Sequence, residues 1–226
     1  MPGVFISFEG PDGSGKTTLI KGLKARLDQD LKQAPIFSRE PGGDRIAEEI
    51  RDIILSPVNT ELDARSEALL YAASRAQHLA QKIRPALAAG NMVLCDRYVD
   101  SSIAYQGYGR KLGGQAVQLI NAFAIDGLLP DLTLYCDISA EEGIARIEAG
   151  RTNEINRLDQ ESIAFHRRVV QGYQDLLKEN PDRIVPIDAS QPAEAMQAAA
   201  YELIRQRFPQ FFLSRKDSPN DASLCH

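Results

Sequence analysis

The sequence predicts a three-layer α/β/α fold built on a five-stranded parallel sheet, with a short lid. Three observations carry this. Five short runs rich in Val, Ile, Leu and aromatics read as buried strands: "VFISF" (4–8), "PIFS" (35–38), "MVLC" (92–95), "LTLYC" (132–136) and "RIVPI" (183–187). Longer helical patterns separate them, and strands alternating with helices make βαβ units. A stretch crowded with glycines, "GPDGSGKTT", joins the first strand to the first helical pattern.

The helical patterns follow in order. Leu19, Ile20, Leu23 and Leu27 share one face after the first strand, and Ile46, Ile50, Ile53 and Ile54 share one after Gly43. Leu69, Leu70, Ala73, Ala76, Leu79, Ala80 and Ile83 mark a long helix expected to break near Pro85. Later helices are expected at 115–125, 140–149, 159–179 and 192–208. "GRTNEINR" (150–157) is polar, lacks apolar periodicity and reads as a mobile loop between two helices. Residues 1–208 are expected to form one domain with a lid over about 146–159, and 209–226 a disordered tail.

Hydrophobic residues make up 43% of the 226 and charged residues 25%, the profile of a soluble globular chain. A net charge of −5 argues against a broad nucleic-acid or membrane surface. Cys95, Cys136 and Cys225 are odd in number and lack metal-ligand spacing, which points to reduced thiols in a cytoplasmic protein. The N-terminal segment is too short for a secretory leader, and no apolar run approaches a membrane span.

Gly10-Pro11-Asp12-Gly13-Ser14-Gly15-Lys16-Thr17, followed by Thr18, fits the P-loop pattern G-x-x-x-x-G-K-[ST]. Its glycines let backbone N–H groups turn inward around a phosphate chain, and the helix after it adds a positive terminus. Lys16 supplies a point charge to the β- and γ-phosphates, and the Thr17 hydroxyl can ligate Mg²⁺. The loop therefore predicts a nucleoside triphosphate site in a P-loop NTPase fold. Two strands end near an aspartate. Asp137 precedes Ser139-Ala140-Glu141-Glu142, a capping box that explains its neighbourhood. Asp96 is preferred as the carboxylate near Mg²⁺.

Arg39 and Arg97 follow strands on the edge where ligands bind, Arg51 and Arg75 lie on helices, and Arg151 and Arg157 lie in the polar loop. Several guanidinium groups near a P-loop suit a reaction that joins two phosphorylated molecules. A guanine-reading N-K-x-D motif, usual in GTPases, does not occur.

In this setting "FEGPDGSGKTT", "REPGG" (39–43), "LLYAASRAQH" (69–78), "DRYVDSSIAYQGYGR" (96–110), "PDLTLYCD" (130–137) and "NRLDQE" (156–161) occur in order. The set resembles the thymidylate kinase family over residues 4 to about 208. That resemblance implies transfer of a phosphoryl group from ATP·Mg²⁺ to dTMP by a homodimer. Arg39 and Arg97 would hold the acceptor phosphate, helped by Arg51. Arg75 would bond thymine, with Tyr71, where the family usually has Phe, beside the base. Ser102 and Gln106 would reach the base edge, and Tyr105 would favour deoxyribose. Asp12 would lie near the acceptor sugar or the metal, and Glu9 would orient a phosphate-binding arginine. One arrangement of the family carries an arginine within the P-loop. Gly13 stands there in this chain, so the lid would supply the catalytic arginine, Arg157 ahead of Arg151, with Arg146 third. The alternatives are a deoxynucleoside kinase with Glu40 as carboxylate base, a UMP/CMP kinase, or a P-loop ATPase switch.

Overall fold

A computed structural model of the chain describes residues 2–149, 158 and 161–213. Five strands, β1 (Val4–Glu9), β2 (Ile36–Arg39), β3 (Met92–Asp96), β4 (Leu132–Asp137) and β5 (Ile184–Asp188), form one parallel sheet in the order β2-β3-β1-β4-β5. The helices are α1 (Lys16–Asp30), α2 (Arg45–Leu55), α3 (Ala64–His78), α4 (Arg84–Ala88), α5 (Val99–Ser102), α6 (Gly114–Ile125), α7 (Ala140–Ala149), α8 (Ile163–Glu179) and α9 (Ala193–Arg207). Each strand begins within a residue of its expected start, and each runs one residue further at its carboxyl end.

The pleat sorts side chains to two different layers. Val4, Ile6 and Phe8 of β1, Met92 and Leu94 of β3, and Leu132, Leu134 and Cys136 of β4 pack on Leu19, Leu23 and Leu27 of α1 and Met196, Ala200 and Ile204 of α9. Phe5, Val93, Cys95 and Tyr135 face the other layer, where α5, α6 and α8 contribute Val99, Val117, Phe165, Val169 and Tyr173. Ser7 and Glu9 share the parity of Phe5 and are fully buried on that side. Both faces are covered, so alternation here separates two interiors rather than inside from outside.

The structure corrects several expectations. Ile54 is buried as expected, but Ile46 and Ile53 are exposed, and Ala47 joins Ile54 on the buried face of α2. Leu69 is also exposed, because α3 turns Ala68, Tyr71, Ala72, Ser74, Arg75 and His78 inward. The chain stays helical through Pro85. A π-helical turn, Leu79–Ile83, widens the backbone just before it, and Pro85 enters in the first turn of α4, where its missing N–H is tolerated. The 159–179 helix begins at Ile163, capped by the Ser162 hydroxyl accepting from the Phe165 N–H at 3.3 Å. A second π-helical turn, Ile103–Gly109, follows α5 in a segment without apolar periodicity. Residues 209–213 belong to the fold rather than to a tail. Pro209–Phe211 form a 3₁₀ turn, and Phe212 is buried edge-on against Tyr201. The remainder of the tail, with Cys225, lies outside the described residues.

The α1–α9 layer is almost wholly apolar, so it carries much of the stability. Leu23 is 1% exposed there. Leu23→Ala should cost about 2–5 kcal/mol, read as a lower urea midpoint with an unchanged slope.

Candidate active site

The loop between β1 and α1 sits at the carboxyl end of the central strand, beside the end of β3, with Phe8 in register with Asp96. The first turn of α1 has no side-chain cap and no acidic residue, which leaves its N–H groups available to an anion. Lys16 folds over the loop and donates to the carbonyls of Gly10 and Pro11, both at 2.9 Å, and to the Ser14 hydroxyl at 3.2 Å. Burial, then repulsion from Arg97, brings its ammonium down to about 8. Gly13 has φ +76, and a β-carbon there would run into the carbonyl of Gly143 in α7. A longer side chain such as arginine has no room at this place.

One cavity of about 420 Å³ joins two compartments. Residues 12–17 wall the first. Arg51, Tyr71, Arg75, Arg97, Ser102, Tyr105 and Gln106 wall the second, with Asp96, Ser101 and Leu158 between or beside them. Most of the residues expected from the sequence are therefore brought together. Thr18 lies outside the wall, and its carbonyl accepts from Gln197 at 3.3 Å. Gly10 and Pro11 lie behind the wall and hold Lys16 through their carbonyls. Arg39 is not among the residues brought together. Its guanidinium is half exposed, reaches Glu48 at 3.0 and 3.2 Å and does not line the cavity. Glu48 is held in place by the Gly43 N–H, so it draws Arg39 to the outside of the "REPGG" turn. Arg51 points inward and donates to the Pro41 carbonyl at 2.7 Å.

Arg97 occupies the centre. Its backbone is left-handed, with φ 69. One guanidinium nitrogen donates to the Gly10 carbonyl at 3.0 Å, the Ser101 hydroxyl at 3.1 Å and the Tyr173 hydroxyl at 3.4 Å. The other donates to Asp12 at 2.6 Å and the Tyr105 hydroxyl at 3.2 Å. Burial alone would raise the Asp12 carboxyl, but Arg97 and Lys16 outweigh it and hold it below the ordinary carboxylate range. Tyr105 also donates to Asp12 at 2.8 Å.

Glu9 does not touch the cavity. It accepts from the Tyr98 N–H at 2.7 Å, the Ser101 hydroxyl at 2.5 Å and the Tyr173 hydroxyl at 2.9 Å. Ser101 and Tyr173 are the same hydroxyls that meet Arg97, so Glu9 orients that arginine at one remove. The sequence reading missed Ser101 and Tyr173. Ser101 stands four residues after Arg97 in "DRYVDSS", a usable signal, whereas nothing near Tyr173 marks it.

Arg75 is 1% exposed. It donates to Glu40 at 2.7 Å, Ser102 at 3.1 Å, the Tyr98 carbonyl at 3.1 Å and Asn121. Glu40 also meets His78 at 3.1 Å. That engagement leaves Glu40 poorly suited to act as a base toward a neutral hydroxyl. Asp96 lines the cavity, and its buried Oδ1 has no hydrogen-bond partner among the described residues. Asp137 is absent from the cavity wall and accepts from Gln174 at 2.8 Å. Ser139 caps the helix beside it, accepting from the Glu142 N–H at 3.2 Å and donating its hydroxyl to the Glu142 carboxylate at 2.8 Å. Arg146 is occupied by the Ala189 carbonyl at 2.8 Å. Arg151 and Arg157 lie outside the described residues.

Comparison with known proteins places this site in a family. The thymidylate kinase family model matches residues 8–200. The chain belongs to the thymidylate kinase family. It is 55% identical over 206 residues to the thymidylate kinase of Latilactobacillus sakei, covering 91% of this chain and 96% of that one. It is 51% identical over 212 residues to that of Enterococcus faecalis, covering 94% and 100%. The crystal structure of thymidylate kinase from Ehrlichia chaffeensis superposes with a TM-score of 0.73 at 30% identity, covering 91% of this chain and 99% of that one. No helix among the described residues is long and apolar enough to cross a membrane.

The buried Glu9 gives this family member a measurable signature. Burial, then the neighbouring Asp100 carboxylate, pushes the Glu9 carboxyl up from 4.5 to about 7. The folded chain thus binds a proton there that the unfolded chain releases above about 4.5. The stability it contributes is fully present below 4.5 and is lost as pH rises through 7. Glu9→Gln removes the term, so its stability relative to wild type should climb between pH 5 and pH 7, by up to about 1.4 kcal/mol per pH unit. Urea unfolding of both proteins across that range tests this.

Proposed function

We propose that the protein transfers the γ-phosphoryl group of ATP to dTMP, giving ADP and dTDP. The observation that carries this is the single cavity joining a complete P-loop to a second compartment walled by Arg51, Arg75, Arg97, Tyr71 and Gln106. The loop amides and Lys16 hold the triphosphate. The acceptor phosphate lies between Arg51 and Arg97, and thymine lies along Tyr71 and Arg75. Arg75 has five N–H groups, of which four are committed among the described residues, so one is left to donate to a base carbonyl. Tyr105, pinned by Asp12 and Arg97, crowds the sugar 2′ position and favours deoxyribose. Asp12, held anionic, keeps Arg97 in place beside the incoming phosphate.

An acceptor phosphate oxygen forms the new bond to the γ-phosphorus as the β–γ bridging bond breaks and its electron pair leaves with ADP. That oxygen is largely ionised near pH 7, so no strong base is needed. Lys16 and Arg97 stabilise the charge that spreads over the equatorial oxygens. Arg157, ahead of Arg151, supplies a further cation from the lid. Asp96, with its unpartnered buried oxygen, and the Thr17 hydroxyl fit Mg²⁺. That ion, when bound, neutralises charge on the β- and γ-phosphates.

We assign the assembly as a homodimer in the cytoplasm. Leu69 on α3 and Leu119 and Phe123 on α6 are all exposed, Phe123 at 91%, and the two helices are adjacent. Such a face suits a second copy of the chain. Phe123→Asp should convert a dimer to a monomer in sedimentation at micromolar concentration, and an unchanged sedimentation coefficient would move the interface elsewhere. Cys95 and Cys136 are buried free thiols, consistent with a reducing compartment.

Purified protein with ATP, Mg²⁺ and each nucleoside monophosphate should release ADP fastest with dTMP. Lys16→Ala should lower kcat/KM at least about a hundredfold while far-UV circular dichroism is unchanged. In the wild type, kcat/KM for ATP should fall as pH rises through about 8, where Lys16 loses its charge.

A further inference from the structure

Gln106 is 1% exposed and lines the cavity. An amide can present either its N–H₂ or its carbonyl to a ligand, and the two ends select opposite partners. Which end faces the cavity is decided by the residue behind it. The Gln106 amide nitrogen donates to Glu67 Oε1 at 2.9 Å. Glu67 is fully buried on α3, four residues before Tyr71 and eight before Arg75, on the helix face that walls the base compartment. Arg110 Nε lies 3.2 Å from each Glu67 oxygen. Arg110 is itself anchored by Glu161 and by the Phe165 ring, 4.9 Å from its centroid. A carboxylate beside a guanidinium is ionised, and an ionised carboxylate only accepts. The amide N–H₂ must therefore face Glu67, and the carbonyl Oε1 is left for the cavity. It receives no hydrogen bond among the described residues.

We infer that Glu67, never in contact with the nucleotide, sets base specificity by fixing the orientation of Gln106. The inference rests on the reading of the acceptor as dTMP. With Glu67 in place, the compartment offers a donor from Arg75 beside an acceptor from Gln106. Thymine and uracil present a carbonyl beside an N3–H and match this pair. Cytosine presents an amino group beside a bare N3 and mismatches at both atoms. A site whose polar groups would be left unpaired rejects the wrong base far more strongly than a pocket that judges by size.

The test is turnover of dTMP, dUMP and dCMP by wild type, Glu67→Gln, Gln106→Ala and the double variant. In Glu67→Gln the neutral amide can face Gln106 by either end, so Gln106 is free to turn. The ratio of kcat/KM for dTMP over dCMP should fall at least about tenfold, mainly through a higher KM for dTMP. The dTMP to dUMP ratio should hold within about twofold, since both bases carry N3–H. Adding Glu67→Gln to Gln106→Ala should change the dTMP to dCMP ratio no further. If Glu67→Gln does not fold, Glu67→Asp, which keeps the charge but shortens its reach, decides by the same ratios. A folded variant with undisturbed dTMP to dCMP discrimination, or one that slows all three acceptors equally in both backgrounds, overturns the role given to Glu67. Failure of the wild type to use dTMP overturns instead the reading of the acceptor.

Discussion

The structure turns on one half-buried ion pair, Arg97 with Asp12 at 2.6 Å. Asp12 belongs to the P-loop and Arg97 follows β3, so the pair ties the P-loop to the compartment beyond it. A left-handed backbone at a residue other than glycine costs about 1–3 kcal/mol. The surroundings over-determine it here. The Arg97 N–H donates to the Phe8 carbonyl at 2.9 Å, its carbonyl accepts from the Cys95 thiol, and its guanidinium meets five groups on four segments of chain. Charge-assisted bonds of this kind contribute about 1.5–3 kcal/mol each, enough to hold the strained conformation. The result is a cation positioned before any phosphate arrives, so little reorganisation is left for the reaction itself.

The two faces of the sheet divide the work. The face toward α1 and α9 is closed by aliphatic side chains. The opposite face buries Glu9, Asp100, Glu67, Glu40, Arg75 and His78. Asp100 is matched by Arg183 at 2.6 and 2.8 Å, and Arg183 also reaches Thr133. Buried ion pairs add little net stability, because desolvation offsets the attraction. Their value here is conformational, since each fixes a group that lines the cavity or one directly behind it. Gly172 serves the same end without charge. A β-carbon there would lie 3.0 Å from the Ala104 backbone, so glycine lets α8 seat against the π-helical turn that presents Tyr105 and Gln106.

Much of this was legible in the sequence because it follows local rules. Strands, P-loop, the Ser139 cap and the Tyr71–Arg75 spacing depend on residues a few positions apart. What escaped depends on contacts across the fold. A charged residue at a strand end reads as solvated, yet Glu9 lies under α8 because the sheet is covered on both sides. Ile53 and Leu69 look like core and are exposed, because the inward faces of their helices are committed to the "REPGG" turn and the base compartment. Arg39 ends a strand on the ligand edge, and its contact with Glu48, outside the cavity wall, joins residues of two elements. "SSIAYQGYGR" carries four pocket residues and no apolar period, because a π-helical turn breaks the spacing that period would show.

The close approach of Gly13 and Gly143 has a mechanistic consequence. The P-loop backbone rests directly on α7, and a β-carbon on Gly143 would lie 2.6 Å from the Asp12 carbonyl. The loop is thus braced by α7, and the space a P-loop arginine needs is filled by main chain. Lys16 is then the sole cation among residues 10–18, and Arg97 is already balanced by Asp12. A transferring phosphoryl group spreads more negative charge than one lysine offsets. In the proposed reaction the remaining charge is met from outside the P-loop. Position 13 is therefore closed to an arginine by backbone packing, two glycines that admit no side chain between them.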